Sequence, residues 1–276
     1  MRVIGYESAK SSHRVLVGRS RVVESLAVGP TEAAGGSCGM AHFISSPHVA
    51  FEHAALSRPI HIEHDPRGPM ESLDPHGSAD GTNLRLWPTA LALSSFLCAH
   101  PELVAGKRIV ELGSGSGAVG LCCAALGASE VVLTDVPDAL ALIRQNVALN
   151  PPSSGTAVRV APCTWGEETH LHELLTAGPY DVVLCCELVY QQPADVLIAL
   201  AHTQRALAGP KAKVLLAYEF RNALGDDLAY FDAATDLFGD STSHPLDTDA
   251  AAVRRMGGRK DSDRDDRFLY IYEMPP

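Results

Sequence analysis

The chain has 276 residues, of which 46% are hydrophobic and 20% are charged, so it can bury a sizeable core. This balance excludes disorder along the whole length. The formal net charge is −11, from 22 Lys and Arg against 33 Asp and Glu, which argues against binding nucleic acid through a broad basic face. We therefore expect no nucleic acid as a partner. No apolar run is long enough to cross a membrane, so we do not expect a membrane as a partner either.

The first part of the chain has little periodic apolar pattern. Residues 1–40 end in a Gly/Ser-rich stretch, which predicts a flexible N-terminal arm. Within this arm, Arg14–Val28 is apolar enough for one or two strands. Residues 41–83 are expected to form an accessory β segment, with a short strand at Arg58–His64 and a loop over Asp65–Gly81.

From Leu84 to the end of the chain, apolar patterns of the strand type alternate with patterns of the helix type. The predicted strands are Arg108–Leu112, Val131–Asp135, Ala157–Ala161, Asp181–Cys186 and Lys213–Tyr218. The predicted helices are Pro88–His100, one containing Leu121–Leu126, one opening at Pro137, Ala194–Leu207 and Asp226–Leu237. This alternation predicts an α/β fold with a mainly parallel sheet and helices on both faces.

No helix pattern separates Asp240–Leu246 from the final apolar run, Phe268–Tyr272. An antiparallel hairpin is therefore the simplest prediction. Its long, densely charged connection over 247–267 is expected to be mobile.

A glycine-rich loop follows the first strand of the alternating region and opens a helix. Gly113, Gly115 and Gly117 allow a tight turn and leave no Cβ to obstruct a ligand, as in nucleotide-type cofactor loops. Asp135, about 20 residues further on, ends the second strand, where an acid can accept hydrogen bonds from ribose hydroxyls. The sequence therefore predicts a cofactor with a ribose at this edge of the sheet.

Two kinds of cofactor fit this loop. Gly115-x-Gly117-x-x-Gly120 satisfies the dinucleotide fingerprint, so NAD is one candidate. However, Glu111 lies two residues before Gly113, and its carboxylate would oppose a pyrophosphate at the start of the helix. S-adenosylmethionine has no phosphate and carries an ammonium and a sulfonium, so the acid favours this methyl donor.

The segments Glu111–Gly117 and Leu133–Asp135 resemble the first two motifs of the seven-strand S-adenosylmethionine-dependent methyltransferases. Further segments occur in the order and spacing of family 16 methyltransferases, most of which are protein-lysine methyltransferases. These segments are Leu86–Ala90, Gln145–Asn150, Thr164–Gly166 and Glu187–Tyr190. The resemblance runs from about Pro59 to the C-terminus, and it implies a Rossmann-like seven-strand sheet with residues 84–276 as the methyltransferase domain.

The resemblance also implies a set of cofactor-binding residues. They are Trp87, Glu111, Gly113, Ser114, Gly115, Asp135, Trp165 and Cys186, where Glu111 is the acid that precedes the glycine loop. Trp165 is expected to lie against the adenine, with Trp87 on another side of the cofactor. Asp135 is expected to hold the ribose, and Cys186 to line the same pocket.

The expected catalytic residues are Glu187 and Tyr190, which leave the fourth predicted strand at its carboxyl end, where open parallel sheets bind ligands. The family pattern here is usually Asp-x-x-Tyr, and Glu187 replaces the Asp. Because a carboxylate favours an ammonium, we expect Glu187 to capture and orient an acceptor lysine. Tyr190 would shape the slot, by a hydrogen bond or by its ring face.

The predicted function is therefore methyl transfer from S-adenosylmethionine to a lysine of a protein substrate. Two alternatives stay open: an arginine or histidine acceptor, and a regulatory module that binds the cofactor without activity. Tyr218-Glu219-Phe220-Arg221 resembles a segment of the family branch that methylates an AAA-type ATPase chaperone. A chaperone or AAA-type ATPase is thus one candidate partner.

Metal and redox chemistry have little support in the sequence. On a strand, His61 and Glu63 share one face and His64 lies on the other, which gives two metal ligands at most. The chain has seven cysteines and no C-x-x-C pair. This pattern favours free buried thiols in a reducing compartment, the cytoplasm or alternatively the nucleus.

Overall fold

A computed structural model describes residues 21–24, 46–66, 81–152, 155–190, 192–220, 227–246 and 267–274. Apart from Arg21–Glu24, the predicted N-terminal arm lies outside these residues. Most of the loop predicted over 65–81 and the connection between the last two strands also lie outside them.

Three short strands near the N-terminus form an antiparallel sheet: β1 (Arg21–Glu24), β2 (His48–Glu52) and β3 (Ile60–Glu63). We call it the N-terminal sheet. On β2 and β3 every second side chain is buried, which is the pattern of a sheet covered on one face. The buried residues belong to the same core cluster as residues of the first two helices. The strand predicted over Arg58–His64 is thus confirmed as β3.

The remaining strands form a seven-stranded sheet. They are β4 (Arg108–Leu112), β5 (Glu130–Asp135), β6 (Ala157–Pro162), β7 (Tyr180–Cys186), β8 (Ala208–Glu219), β9 (Ser241–Pro245) and β10 (Arg267–Glu273). The strands β4, β5 and β7 are nearly continuous apolar runs, as expected of strands that are covered on both faces.

Six helices lie within the described residues. They are α1 (Pro88–Ala99), α2 (Ala118–Ala125), α3 (Leu140–Leu149), α4 (Glu168–Thr176), α5 (Ala194–Leu207) and α6 (Asp227–Phe238). Residues of α1, α2, α3 and the N-terminal sheet form one core cluster, and residues of α4, α5 and α6 form the other. None of these helices is long and apolar enough to cross a membrane.

The strand order is β6-β5-β4-β7-β8-β10-β9. The first five strands are parallel, and β10 is antiparallel to both of its neighbours. The predicted α/β fold and its C-terminal antiparallel hairpin are therefore confirmed. The chain leaves β4 toward one side of the sheet and returns at β7 on the other, so the carboxyl ends of β4 and β7 flank a switch point. Such a switch point is where an open α/β sheet binds its ligand.

Three elements differ from the sequence prediction. Strand β2 (His48–Glu52) is absent from the predicted strands, although it lies in the predicted accessory β segment. Helix α4 is absent from the predicted helices: its nine residues carry three leucines at helical spacing, Leu171, Leu174 and Leu175, which is a short apolar stripe among polar side chains. Strand β8 begins at Ala208, five residues before the predicted Lys213. The added residues include Gly209 and Pro210, which normally indicate a turn.

Candidate functional site

The loop between β4 and α2 depends on its glycines. Gly113, Gly115 and Gly117 have φ of 55°, 54° and 77°, in the left-handed region that other residues avoid. A Cβ on Gly113 would lie 2.4 Å from Cδ2 of Leu188, which follows β7. Glycine at this position therefore lets the loop after β4 pack directly against the loop after β7.

The glycine loop is hydrogen-bonded to the end of β5. The N–H of Ser114 donates to the carbonyl of Thr134 at 2.8 Å, and the Ser114 hydroxyl oxygen accepts from the N–H of Thr134 at 3.0 Å. The N–H of Gly115 donates to Oδ2 of Asp135 at 2.8 Å, while Oδ1 accepts from the N–H of Val136. Asp135, at 7% exposure, is thus held beside the loop with both carboxylate oxygens oriented.

Glu111 lies beneath the same loop, at 2% exposure. Its Oε2 accepts a hydrogen bond from the N–H of Gly120 at 3.0 Å, in the first turn of α2. A Cβ on Gly120 would lie 2.6 Å from that oxygen and 2.2 Å from Cδ2 of Leu133, so only glycine allows this packing. One backbone N–H in the first turn of α2 is therefore bound by a carboxyl group, whose ionised form would oppose a phosphate at the start of this helix.

Burial raises the pKa of Glu111 to about 8, with a smaller raising contribution from the charge of Asp135. The hydrogen bond from the Gly120 N–H opposes this shift because it stabilises the carboxylate. Glu111 is therefore a buried acid whose charge depends on pH in the neutral range, and a cation nearby would favour its ionised form.

Glu187 comes immediately after β7 and has an unusual backbone conformation. Its φ is 59°, and it is the one residue other than glycine with a positive φ in the described ranges. Its N–H donates to the carbonyl of Ala217 on β8 at 2.9 Å, and the residue is 7% exposed. Asp adopts this conformation more readily than Glu, so the Asp expected from the resemblance suits this backbone better. Strain of this kind costs about 1–3 kcal/mol and is concentrated at functional sites.

Tyr190 and Trp87 are joined through one residue that the sequence did not single out. The Tyr190 hydroxyl lies 3.0 Å from Oγ1 of Thr82, and Nε1 of Trp87 donates to the Thr82 carbonyl at 3.2 Å. The carbonyl oxygen of the next residue, Asn83, lies 3.2 Å from the position of a Cβ on Gly115. The segment that precedes α1 therefore connects the loop after β7 with the glycine loop.

Asn83 adds a polar atom to this region. Its Oδ1 is buried and accepts no hydrogen bond from the part of the chain that the structure describes. Buried acceptors are normally paired, so this atom is suited to a donor on a ligand. Thr82 and Asn83 lie in a stretch with Gly81 that predicts only a loop from its sequence.

Trp165 and Cys186 lie at two further strand ends. Trp165 follows β6, is half-buried and packs against the second core cluster. The N–H of Cys163, two residues earlier, donates to the carbonyl of Asp135 at 2.8 Å, which fixes the end of β6 beside that of β5. Cys186 is the last residue of β7 and is also half-buried. The expected site residues therefore lie at the carboxyl ends of neighbouring strands, with Trp87 at the start of α1.

One histidine of the N-terminal sheet pairs with a carboxylate, and a second stacks on the first. His61 and Glu63 share the less buried face of β3, as predicted. Nδ1 of His48 lies 2.9 Å from Oε1 of Glu63, and the rings of His48 and His61 stack at 5.4 Å. Within the described ranges, no three His, Cys, Asp or Glu residues form a group that could hold a metal ion.

Comparisons with known proteins agree with this geometry. A family model described as lysine methyltransferase matches residues 74–236. The chain is 39% identical over 145 residues to EEF1A lysine methyltransferase 3 of Mus musculus, covering 52% of this chain and 59% of that protein. It is 36% identical over 137 residues to the protein N-lysine methyltransferase METTL21A of Danio rerio, and this match covers 49% of this chain and 60% of that protein. The chain thus spans less than two thirds of the length of these curated relatives.

A solved structure shows the same fold at low sequence identity. The T. thermophilus 16S rRNA N2 G1207 methyltransferase, in complex with AdoMet and guanosine, matches with a TM-score of 0.54 and 18% identity. The match covers 83% of this chain and 51% of that chain. At this identity the likeness supports the fold and not the substrate.

The raised pKa of Glu111 predicts that stability depends on pH. The group titrates near 4.3 in an unfolded chain and at about 8 in the folded protein, so the folded state binds more protons between these values. The free energy of unfolding therefore falls as pH rises through this window, by up to about 1.4 kcal/mol per pH unit from this group. In the Glu111→Gln variant, the free energy of unfolding, measured with urea between pH 5 and pH 8, should fall less steeply with pH than in the wild type. The difference in slope is expected to reach about 1.4 kcal/mol per pH unit.

The control is Glu173→Gln, which changes an exposed glutamate on α4 and is expected to leave the pH dependence of unfolding as in the wild type. Equal pH dependence in the wild type and Glu111→Gln would contradict the raised pKa of the buried acid.

Proposed function

The chain belongs to the lysine methyltransferase family whose model matches residues 74–236, and we propose that it transfers a methyl group from S-adenosylmethionine to a lysine of a protein substrate. The observation that carries this proposal is the set of three buried carboxyl groups around the switch point: Glu111, Asp135 and Glu187. As carboxylates, Asp135 and Glu187 disfavour a phosphate-bearing ligand and favour cations on the donor and on the acceptor. Glu111, whose pKa is about 8, is mostly protonated at pH 7, and a cation nearby would favour its ionised form.

Three features support S-adenosylmethionine as the donor. The Asp135 carboxylate is oriented at the end of β5, where it can accept hydrogen bonds from ribose hydroxyls. The Glu111 carboxyl group binds the N–H of Gly120 in the first turn of α2, where a carboxylate would oppose a phosphate and favour a cation. The buried Oδ1 of Asn83, next to the glycine loop, is available to a donor group such as an ammonium.

The other proposed donor-binding residues follow from their places around the loop. Gly113, Ser114 and Gly115 would face the amino-acid and ribose parts of the donor. Trp165 would pack against the adenine, and Trp87 and Cys186 would close the remaining sides. When bound, S-adenosylmethionine supplies an electrophilic methyl group on a sulfonium.

Glu187 and Tyr190 are the proposed acceptor residues. A lysine ammonium must lose its proton before transfer, which at pH 7 costs about 4–5 kcal/mol for an ordinary pKa near 10.4. A carboxylate raises that pKa, so Glu187 does not remove the proton but captures and orients the ammonium. Desolvation of the ammonium beside a sulfonium then favours release of the proton to water.

The reacting nitrogen must lie about 3–3.5 Å from the methyl carbon and opposite the sulfur. The nitrogen lone pair forms the new N–C bond, the S–C bond breaks, and its electron pair stays on the sulfur. Tyr190, whose hydroxyl lies beside Thr82, would fix the walls of the lysine slot. Orientation by these two residues is therefore the main catalytic contribution of the chain.

The partner we propose is a protein, in keeping with the name of the relative EEF1A lysine methyltransferase 3. A chaperone or AAA-type ATPase stays a prediction from the Tyr218-Glu219 segment. There, Oε2 of Glu219 accepts hydrogen bonds from Nε of Arg267 at 2.9 Å and from the Thr89 hydroxyl at 3.4 Å. Arg221 lies outside the described residues. The cytoplasmic or nuclear location and the division at residues 40 and 83 also stay predictions.

Methyl transfer is tested with S-adenosylmethionine that carries a deuterated methyl group. Wild-type protein, incubated with a cell extract, is expected to place the label on lysine side chains, mapped by tandem mass spectrometry. Glu187→Gln removes a charged hydrogen bond worth about 1.5–3 kcal/mol, so the rate should fall by roughly tenfold or more. Glu187→Asp keeps the charge and suits the left-handed backbone, so it should keep most of the rate.

Each other outcome of this experiment has a defined meaning. Label on arginine or histidine would assign the alternative acceptor, and no label from the wild type would favour a regulatory module. Unchanged labelling by Glu187→Gln would remove Glu187 from the acceptor site.

Donor binding is tested separately by isothermal titration calorimetry. Asp135→Ala removes the acceptor proposed for the ribose hydroxyls, so affinity for S-adenosylmethionine is expected to fall by roughly tenfold or more. Asp138→Ala is the matched control, because Asp138 is an exposed carboxylate three residues further on. Full affinity in a folded Asp135→Ala variant would show that the cofactor assignment is wrong.

A further inference from the structure

Two buried asparagines on α3 and at its end have no part in the mechanism above. Asn146 is 0% exposed and Asn150 is 9% exposed, and their spacing of four residues puts both on one face of the helix. Both side chains are turned toward the edge strand β3 of the N-terminal sheet. We call the pair the asparagine ladder.

Each amide of the ladder makes two hydrogen bonds to the backbone of one residue of β3. Oδ1 of Asn146 accepts from the N–H of Glu63 at 2.8 Å, and its Nδ2 donates to the Glu63 carbonyl at 3.0 Å. Oδ1 of Asn150 accepts from the N–H of His61 at 2.8 Å, and its Nδ2 donates to the His61 carbonyl at 2.6 Å. The ladder thus binds the edge of β3 as a neighbouring strand would.

The spacing of the two asparagines along the helix matches the spacing of His61 and Glu63 along β3. Four residues of an α-helix rise about 6 Å, and two residues of a strand rise about 6.6 Å. On its other edge β3 pairs with β2, so its remaining N–H and carbonyl groups would lack partners without the ladder. Asn146 and Asn150 therefore satisfy alternate residues of this edge.

The two asparagines differ in their third hydrogen bond. Nδ2 of Asn146 also donates to the carbonyl of Ser116 at 2.8 Å, within the glycine loop. Nδ2 of Asn150 instead donates to the carbonyl of Asn146, within the helix. Of the two, only Asn146 connects the N-terminal sheet with the loop, and Ser116 directly follows Gly115, which bonds Asp135.

We propose that Asn146 is a positioning residue for the methyl donor, holding the Ser116 carbonyl and hence the glycine loop in place. This inference rests on the proposed function, because it assumes that the loop binds S-adenosylmethionine. Without the bond to Ser116, the glycine loop keeps its bonds to Thr134 and Asp135 but loses its support from α3, so the donor site is less well preformed. The expected effect falls on donor binding and not on the chemical step.

The test compares Asn146→Ala with Asn150→Ala. Both variants leave one residue of β3 without its side-chain partners, so both should lower the melting temperature to a similar extent. In calorimetry with S-adenosylhomocysteine, Asn146→Ala is expected to raise Kd by roughly tenfold, and Asn150→Ala by less than about twofold. In the methyl-transfer assay, Asn146→Ala should raise KM for the donor and leave kcat within about twofold.

A second pair of variants covers a failure to fold. Asn146→Ser and Asn150→Ser keep a small polar side chain and bury no charge, but they lose the paired amide bonds to β3. The variant at position 146 is again expected to raise the Kd for S-adenosylhomocysteine more than the variant at position 150.

The outcomes separate this inference from the proposed function. If the wild type binds no S-adenosylhomocysteine, the proposed function fails and the positioning role fails with it. If the wild type binds and both asparagine variants lose affinity equally, or neither loses any, the positioning role alone is overturned.

Discussion

The hydrogen bond from the N–H of Gly115 to the Asp135 carboxylate joins two neighbouring strand ends, and the candidate site is built around it. It forms because β4 and β5 are parallel and in register, and because Gly115 adopts a left-handed backbone that places its N–H toward β5. Leu188 packs against Gly113, and Asn146 binds Ser116 from the opposite side. The loop is thus held at three points before any ligand arrives, which lowers the entropy lost on binding.

The charges at the switch point explain why a loop with a dinucleotide-like pattern suits a different ligand. The carboxyl group of Glu111, buried beneath the loop, binds the N–H of Gly120 in the first turn of α2, and its ionised form would oppose a phosphate at the start of that helix. Burial keeps the pKa of Glu111 at about 8, so in the neutral range it is partly ionised and responds to nearby charge. Burying such acids costs stability, and proteins retain this cost mainly where the groups have a function. A cationic donor and a cationic acceptor would each reduce the free-energy cost of burying these carboxyl groups.

The features that were readable from the sequence are local ones. The apolar runs of the central strands and the glycines of the loop are short continuous patterns, and the acid at the end of β5 follows the loop at a fixed spacing of about 20 residues. The fold and the proposed donor site follow from these patterns. Features that depend on distant partners were not readable. Thr82 meets Tyr190 across 108 residues, and Asn146 meets Glu63 across 83 residues. The left-handed backbone of Glu187 occurs where its N–H binds the carbonyl of Ala217 on β8, and no glycine marks it in the sequence.

A crystal structure of the protein with S-adenosylhomocysteine tests the central claim most directly. The account predicts that the ribose hydroxyls bind the Asp135 carboxylate, that the amino-acid part lies along Gly113–Gly115, and that the adenine packs against Trp165. A ligand bound away from the glycine loop, or a ribose that makes no contact with Asp135, would contradict it.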